Sequence, residues 1–421
     1  QLRMFFKHAL VYATQKKGLG FRMPENTKYQ RRFEPYEKEL IEIRRHLHRH
    51  PELGLQEFET SAFIRDYLEK LGYRLTKVEP TGWIAEHPCQ ETAAFADKKQ
   101  VVLRSEMDAL PIQEQTGLPF ASEREGVMHA CGHDGIVATA LILAKILAKE
   151  KEQFPVKVRF LFEPAEEIGE GAKRMLSAGA LEPKPDAFLM FHYAVDMPFG
   201  MAVHEGQASA MINGMEIRVH GKSSHWCQAS QGIDSIYAAS LVVQALHDLN
   251  ETYQGKGPCL VGIGTFHGGE YSNIITDLVT LRGNIRAAYE EDYQALDEKM
   301  QAVLQEIEKR TGTRIEIEYP KPAVLPFAND ASLTRIAAAA GKKVFGEHFI
   351  LEDENQLFLS GDNAYRYFQK SRGLFSVFLA GIPGKTYPLH HPKFQIDEAV
   401  LPYSLEALYE ILAGISREEE N

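Results

Sequence analysis

Apolar positions repeat with two different periods along this chain, and the pattern changes character near residue 211. Leu40, Ile41, Ile43 and Leu47 recur at helical spacing among charges, so 34–50 predicts an amphipathic helix closed by Pro51 and Gly54. Residues 59–71 predict a second helix, ended by Gly72, and 73–78 a short strand. The compact apolar runs 101–105, 156–162 and 186–191 predict buried strands. Residues 136–147 are almost wholly apolar, as a helix buried against a sheet would be. From Met211 the reading is strand 211–220, helix 234–249, strands 259–267 and 278–286, helix 291–310 and strand 314–319. That β-α-β-β-α-β order is the order of a ferredoxin-like unit. Pro320, Pro322 and Pro326 mark the exit from it. An Ala-rich helix over 330–345, a strand over 374–379 and a last helix over 399–415 complete the chain. The expected class is α/β: a twisted mixed sheet flanked by helices, formed by 34–208 and 326–421. Residues 209–325 are an inserted ferredoxin-like α+β domain, and 1–33 an N-terminal extension.

Composition narrows the function classes. The 421 residues are ample for two domains, and 44% hydrophobic with 25% charged content is that of a soluble globular protein. A net charge of −11 argues against nucleic acid and anionic membrane surfaces. No apolar run reaches the length of a membrane span. Cys89, Cys131, Cys227 and Cys259 are too few and too scattered for a disulfide framework and suit a reducing compartment, so a cytoplasmic protein is expected. Residues 1–20 mix Phe5, Phe6, Leu10 and Val11 with Lys7, Lys16 and Lys17, without a small-residue cleavage site, and do not read as a signal peptide. The Gln1 start suggests trimming, with Met4 or Met23 as natural starts.

The candidate chemistry sits where the predicted strands end. Cys131 and His133 lie at a turn entering a helix, where Gly132 and Gly135 permit a tight backbone path and a thiol is expected to ionise readily. Alone, the pair fits a small buried cysteine beside a polar histidine equally well. Glu106 and Asp108 follow the 101–105 strand, where open α/β sheets bind ligands, although a capping loop reads the same way. Glu166 and Glu167 follow the 156–162 strand. Neighbouring side chains diverge, so one can bind a metal while the other stays free as a base. His192 follows the 186–191 strand. Cys131, His133, Glu167 and His192 together form a sulfur, nitrogen and oxygen set suited to zinc or a neighbouring transition metal. His46, His48 and His50 alternate around a helix and read as surface and packing residues rather than ligands.

Five motifs in this order resemble the large aminoacylase and carboxypeptidase group of two-metal peptidases. They are Arg104-Ser-Glu-Met-Asp-Ala-Leu-Pro-Ile112, His129-Ala-Cys-Gly-His-Asp134, Phe162-Glu-Pro-Ala-Glu-Glu167, Phe191-His192 and Leu389-His-His-Pro392. Within that group the chain is similar to the amidohydrolase branch of hippurate hydrolases, N-acetyldiaminopimelate deacetylases and auxin–amino-acid conjugate hydrolases. The resemblance spans 34–415. It implies two divalent metal ions, zinc or manganese with cobalt or nickel as alternatives. Cys131 would be the bridging ligand and His133, Glu167, His192 and His390 the others. Glu166 would be the general base, and Asp108 the carboxylate that orients a ligand histidine. His225, in Gly221-Lys-Ser-Ser-His225, would reach an active site, often the partner subunit's. Asn273 and Arg286 would hold the substrate's carboxylate. A homodimer through the inserted lid domain is also implied. Several positions depart from the family pattern. Ile136 stands where a second histidine is usual, Glu106 for Asp and Glu163 for Gln. Ala229-Ser230 replaces Pro-His, Trp226 and Cys227 replace smaller residues, and Ser360-Gly-Asp-Asn363 differs from Ser-Glu-Asp.

The implied reaction is hydrolysis of a small-molecule substrate, an N-acyl amino acid or a related small amide with a free carboxylate, to acid plus amino acid. Two readings compete with it. A cysteine hydrolase built on Cys131 leaves the Glu pair and His390 idle. A non-catalytic metal- or ligand-binding homologue is suggested by the altered lid residues, but has no use for a free base at Glu166.

Overall fold

The computed structural model describes residues 29–87, 92–93, 96–150, 153–352, 359–385 and 387–418. Most of the expected N-terminal extension, and Cys89, lie outside the described residues. In chain order the elements are α1 (Glu37–Arg49), α2 (Phe58–Lys70), β1 (Arg74–Val78), β2 (Gly82–Glu86), β3 (Gln100–Glu106), α3 (His133–Glu150) and β4 (Lys157–Glu163). Then come α4 (Gly171–Ser177), β5 (Ala187–Ala194), β6 (Gly200–His204), β7 (Met211–His220), β8 (Ser224–His225), α5 (Ser235–Thr252) and β9 (Cys259–Gly268). The series continues with β10 (Ile274–Ile275), β11 (Leu278–Ala287), α6 (Glu290–Thr311), β12 (Arg314–Glu318), α7 (Ala331–Phe345) and β13 (Phe349–Glu352). It closes with α8 (Tyr365–Phe368), β14 (Gly373–Leu379) and α9 (Leu401–Ile415). The chain divides into two compact units. One holds Ser209–Phe327 with the described residues 359–361; the other holds the described parts of Phe21–Ala208, Ala328–Asp353 and Asp362–Asn421.

The larger unit is built on an eight-stranded mixed sheet in the order β1-β2-β4-β3-β5-β14-β6-β13. β3 runs parallel to β4 and β5, and β14 parallel to β5, while β2 runs antiparallel to β4 and β14 antiparallel to β6. β3 and β4 are buried on both faces, which explains their unbroken apolar runs. α3 is buried nearly all round because β3 and β5 lie on one side of it and α1 and α9 on others. Ile136, at the position where a histidine is usual in the resembled family, is fully buried in this core. Among the described residues no helix is long and apolar enough to cross a membrane.

In the smaller unit β12-β7-β11-β9 form an antiparallel sheet. β7 alternates strictly. Met215, Ile217 and Val219 face a core completed by Leu246 of α5 and Leu296 and Met300 of α6. Glu216, Arg218 and His220 face outward, where they pair with Arg282, Glu318 and Glu316. Asp234 starts α5 by accepting from the amides of Ile236 and Tyr237.

Candidate metal centre

The donor side chains are carried by core elements or by the turns and loops that follow them. Gly132, at φ +90°, turns the chain between Cys131 and the start of α3, a conformation glycine adopts without penalty. His133 opens that helix, and its Nδ1 lies 2.9 Å from the carbonyl oxygen of Asp108, just beyond β3. A carbonyl only accepts, so Nδ1 carries the hydrogen and Nε2 keeps its lone pair. His192 is oriented in the same way, with Nδ1 2.9 Å from the carbonyl of Tyr193 and Nε2 3.4 Å from Cys131 Sγ. It lies inside β5 rather than after it, because β14 pairs alongside and extends the strand to Ala194.

The Glu pair sits on a turn held from several sides. Ala165, directly before it, has φ +55°, a left-handed conformation that costs an alanine about 1–2 kcal/mol. Its amide donates to Glu57 Oε1 at 2.8 Å, and the amide of Glu167 donates to Asp108 Oδ2 at 3.0 Å. The amides of Glu170 and Gly171 close the turn onto the carbonyl of Ala165. Gly171 tolerates no side chain, since a Cβ there would stand 2.1 Å from the Pro164 carbonyl oxygen. His390 is also left-handed, at φ +64°, and its amide donates to the carbonyl of Ala130 at 2.9 Å. Non-glycine residues in this region cluster at functional sites, where the surrounding structure over-determines them.

These features bring Cys131, His133, Glu166, Glu167, His192 and His390 into three overlapping groups. They are Cys131–His133–His192, Cys131–Glu167–His390 and His133–Glu166–Glu167, with the donor atoms of each within 4.8 Å of one another. Cys131, His133 and Glu167 each belong to two groups, so the donor set could serve two cations with shared ligands. Glu167 Oε2 lies 3.4 Å from His390 Nε2, and its Oε1 is buried without a hydrogen bond. Burial pushes the Cys131 thiol up, against the pull of His133. The ready ionisation expected of a thiol at a helix start is therefore overridden by desolvation. Burial lowers His192 to about 4, aided by His133. Burial also disfavours charge on His133, but Cys131 and Asp108 outweigh it and hold the imidazole well above its usual value. A buried thiol, two carboxylates and two imidazoles whose Nδ1 is tied to a backbone carbonyl, leaving Nε2 for a ligand, fit divalent metal ions.

A second buried network supports the Glu pair from below. Arg104 is fully buried and donates both Nε and Nη2 to Glu163 at 2.9 Å, and Nη1 to Glu106 at 2.5 Å and Asp362 at 3.1 Å. Its Nη2 also donates to Asn363 Oδ1 at 3.0 Å, and the Asn363 amide group reaches the carbonyl of Glu166 at 3.4 Å. Glu106, Glu163, Asp362 and Asn363 are thus partners of a single guanidinium, which ties together three of the sequence departures, at Glu106, at Glu163 and in the 360–363 stretch. Arg104 and Asn363 stand in stretches quoted from the sequence but carry no assigned role there, and Glu57 is not singled out at all. The available signal was a charge inside an apolar strand at Arg104; for Glu57 there was none.

The remaining candidates belong to the smaller unit. His225 is exposed in β8, opposite Ile274 of β10, and its Nδ1 accepts from the amide of Cys227 at 3.2 Å. The Asn273 carbonyl accepts from the amide of Trp226. Arg286 lies on β11, donating to Asn284 Oδ1 at 2.7 Å and to the carbonyl of Leu359 at 2.8 Å. On α1, His48 is buried against Asp134 and Glu114, and His46 packs on Phe63, so neither histidine is a ligand.

Comparison with known proteins places the whole fold in a family. Residues 102–414 match the model of peptidase family M20/M25/M40. The N-acetyl-L-cysteine deacetylase of Bacillus subtilis is 32% identical over 377 residues, covering 89% of this chain and 87% of the relative. The hippurate hydrolase of Campylobacter jejuni is 34% identical over 315 residues, 73% of this chain and 80% of its own. The crystal structure of a Bacillus subtilis dinuclear metal-binding peptidase of the M20 family superposes with a TM-score of 0.75 at 32% identity, covering 90% of this chain and 98% of that one.

Proposed function

The chain belongs to peptidase family M20/M25/M40, and we propose that it is a metal-dependent amidohydrolase cleaving the amide bond of an N-acyl amino acid or a related small amide with a free carboxylate. The observation that carries this reading is the overlap of three donor groups, Cys131–His133–His192, Cys131–Glu167–His390 and His133–Glu166–Glu167, with Glu166 beside two of the candidate ligands. The relatives named as deacetylases and a hippurate hydrolase supply the substrate class. Two divalent ions, held by those five side chains with Cys131 shared, would supply Lewis acidity and lower the pKa of the attacking water. Zinc and manganese suit the donors best, with cobalt and nickel as functional substitutes.

The chain's own groups do the rest. Asp108 fixes His133 through its carbonyl and Glu167 through its carboxylate, so one residue sets the orientation of two ligands. Glu166 accepts the proton of the attacking water and delivers it to the leaving nitrogen. His225, whose Nδ1 is an acceptor, presents Nε2–H as a donor for the developing oxyanion. Arg286 and Asn273 serve the substrate's carboxylate, the guanidinium by charge-assisted hydrogen bonds. Cys131, Cys227 and Cys259 are free thiols, which supports a reducing, cytoplasmic setting.

A metal-loaded hydrolysis screen that varies the acyl and amino-acid halves independently tests the proposal. Turnover is expected for at least one N-acyl amino acid, lost with a chelator and restored by added metal. Chelator-resistant turnover would point to Cys131 as a nucleophile, and tight binding without turnover to a non-catalytic homologue.

We further assign a homodimer through the smaller unit. β9 is an edge strand, and Phe266 on it and Ile236 and Tyr237 of α5 are exposed apolar side chains.

A further inference from the structure

Glu57 is fully buried, yet it does not serve the helix it introduces. It precedes α2 and makes no side-chain cap to that helix. The capping is done by Glu52, whose two carboxylate oxygens accept from the amides of Glu59 at 3.1 Å and Thr60 at 2.8 Å. The Glu57 carboxylate turns away to the far side. Oε2 accepts from the hydroxyl of Thr81, also fully buried, at 2.6 Å, and Oε1 accepts from the amide of Ala165 at 2.8 Å. An acidic side chain with both oxygens committed to donors, 108 residues from one of them, is not a generic helix start.

Its target is the one non-glycine residue of the Glu166 turn that stands in the left-handed region, at φ +55°. Ala165 disfavours that conformation because its Cβ crowds the following carbonyl. A negative acceptor fixed on its amide holds the peptide plane where the strained conformation requires it. The direction in which Glu166 then leaves the backbone follows from that plane. Asp108 anchors the same turn one residue beyond the pair, through the Glu167 amide. The two carboxylates therefore clamp the turn on either side of Glu166.

We propose that Glu57 is a positioning residue, which locks Ala165 in its left-handed conformation and thereby aims Glu166 at the reacting water. The proposal rests on the reading of Glu166 as general base. Its distinctive consequence is genetic. Glycine adopts positive φ freely, so Ala165→Gly removes the need for the lock. A residue that merely stabilised α2 or the β1–β2 turn would not be rescued by a change at 165.

The test compares Glu57→Gln, Ala165→Gly and the double variant, each as metal-loaded full-length protein. In Glu57→Gln, kcat is expected to fall about 10–100-fold, the scale of small misplacements at a catalytic group. KM and bound metal should stay near the wild-type values. The double variant should regain most of that loss relative to Ala165→Gly alone. Hydrogen exchange of the peptide spanning 163–171 provides a readout independent of turnover. It should quicken in Glu57→Gln and slow again in the double variant. Thr81→Val, which strips the second donor from the carboxylate, is a milder form of the same lesion and carries the test if Glu57→Gln does not fold. The proposal is overturned if glycine brings no recovery, if the activity loss tracks metal loss, or if exchange in 163–171 is unchanged. If the wild-type protein hydrolyses no N-acyl amino acid, the functional reading falls, and the exchange comparison still decides whether Glu57 locks the turn.

Discussion

Burial raises the carboxyl of Glu167, but His390 and His133 outweigh it and hold it at about 2, while burial and the nearby Asp362 lift its neighbour Glu166 well above the usual range. A carboxylate kept ionised among imidazoles suits a metal ligand, and one inclined to hold a proton suits a base. Glu166→Gln is nearly isosteric and should leave metal content near wild type while turnover drops by ~10²–10⁴, the contribution of general-base catalysis. Glu167→Gln should instead weaken metal binding and raise chelator sensitivity, because a neutral amide is a poorer donor to a dication. Metal analysis beside steady-state kinetics separates the two. Normal turnover in a fully loaded Glu166→Gln enzyme would remove the assigned base.

At the scale of elements, α1 is pinned to α3 by buried charge. Asp134, at the start of α3, accepts from Arg44 Nε at 2.8 Å and lies 2.8 Å from His48 Nδ1, both on α1. Arg44 also donates to Glu398, which leads into α9. Burial raises the Asp134 carboxyl, but Arg44 and His48 outweigh it and depress it far below its ordinary value. Burial lowers His48, yet Asp134 and Glu114 carry it above its ordinary value. Removing one member of such a network strands the others, so Asp134→Asn should cost about 3 kcal/mol. The sign of its pH dependence follows from the two shifts. A depressed carboxyl contributes fully above its unfolded value of about 3.9 and progressively less as pH falls toward the folded value. A raised histidine contributes fully below about 6.5 and loses its contribution as pH rises through the folded value. The stability gap between wild type and Asp134→Asn should thus be widest from about pH 4 to about pH 6.5 and narrow on either side. Thermal melts of the two proteins across pH test this, and a gap that widened steadily into acid would contradict it.

The same elements show what was legible in the sequence. Long periodic segments such as α6 and the strictly alternating β7 were readable because their pattern outlasts local noise. β2, β6 and β13 are four or five residues each and have no pattern until neighbouring strands pair with them. Metal-type donors were legible because Cys131, His133 and His192 stand out against apolar runs. Arg104 meeting Glu163 depends on β3 lying in register beside β4, which no local spacing reveals. Glu57 looks like any acid before a helix until Glu52 is seen to have taken the capping role.

At the scale of the molecule, the sheet of the smaller unit has two edges with opposite characters. β12 carries Arg314, Glu316 and Glu318, which pair among themselves and with Arg218 and His220, so that edge is blunted by charge. β9 ends in Gly264-Thr265-Phe266-His267-Gly268, exposed throughout and without a Lys, Arg, Asp, Glu or Pro to discourage pairing. Large apolar side chains are exposed on segments near it in sequence: Ile236 and Tyr237 on α5, Tyr271 and Ile274 after β9, and Leu278 at the start of β11. Exposed apolar side chains of this kind suit the proposed association of two copies. A second copy can meet β9 by adding its own β9 antiparallel, which satisfies the free amides and carbonyls and covers the apolar side chains in one step. Sedimentation velocity on the wild-type protein should give a dimer over a wide concentration range. Phe266→Lys places a charge on the pairing edge and should shift the protein to monomer without altering the melting of its separate core. A wild-type protein that sediments as a monomer throughout, or a Phe266→Lys protein that stays dimeric, would show that copies do not associate through this edge.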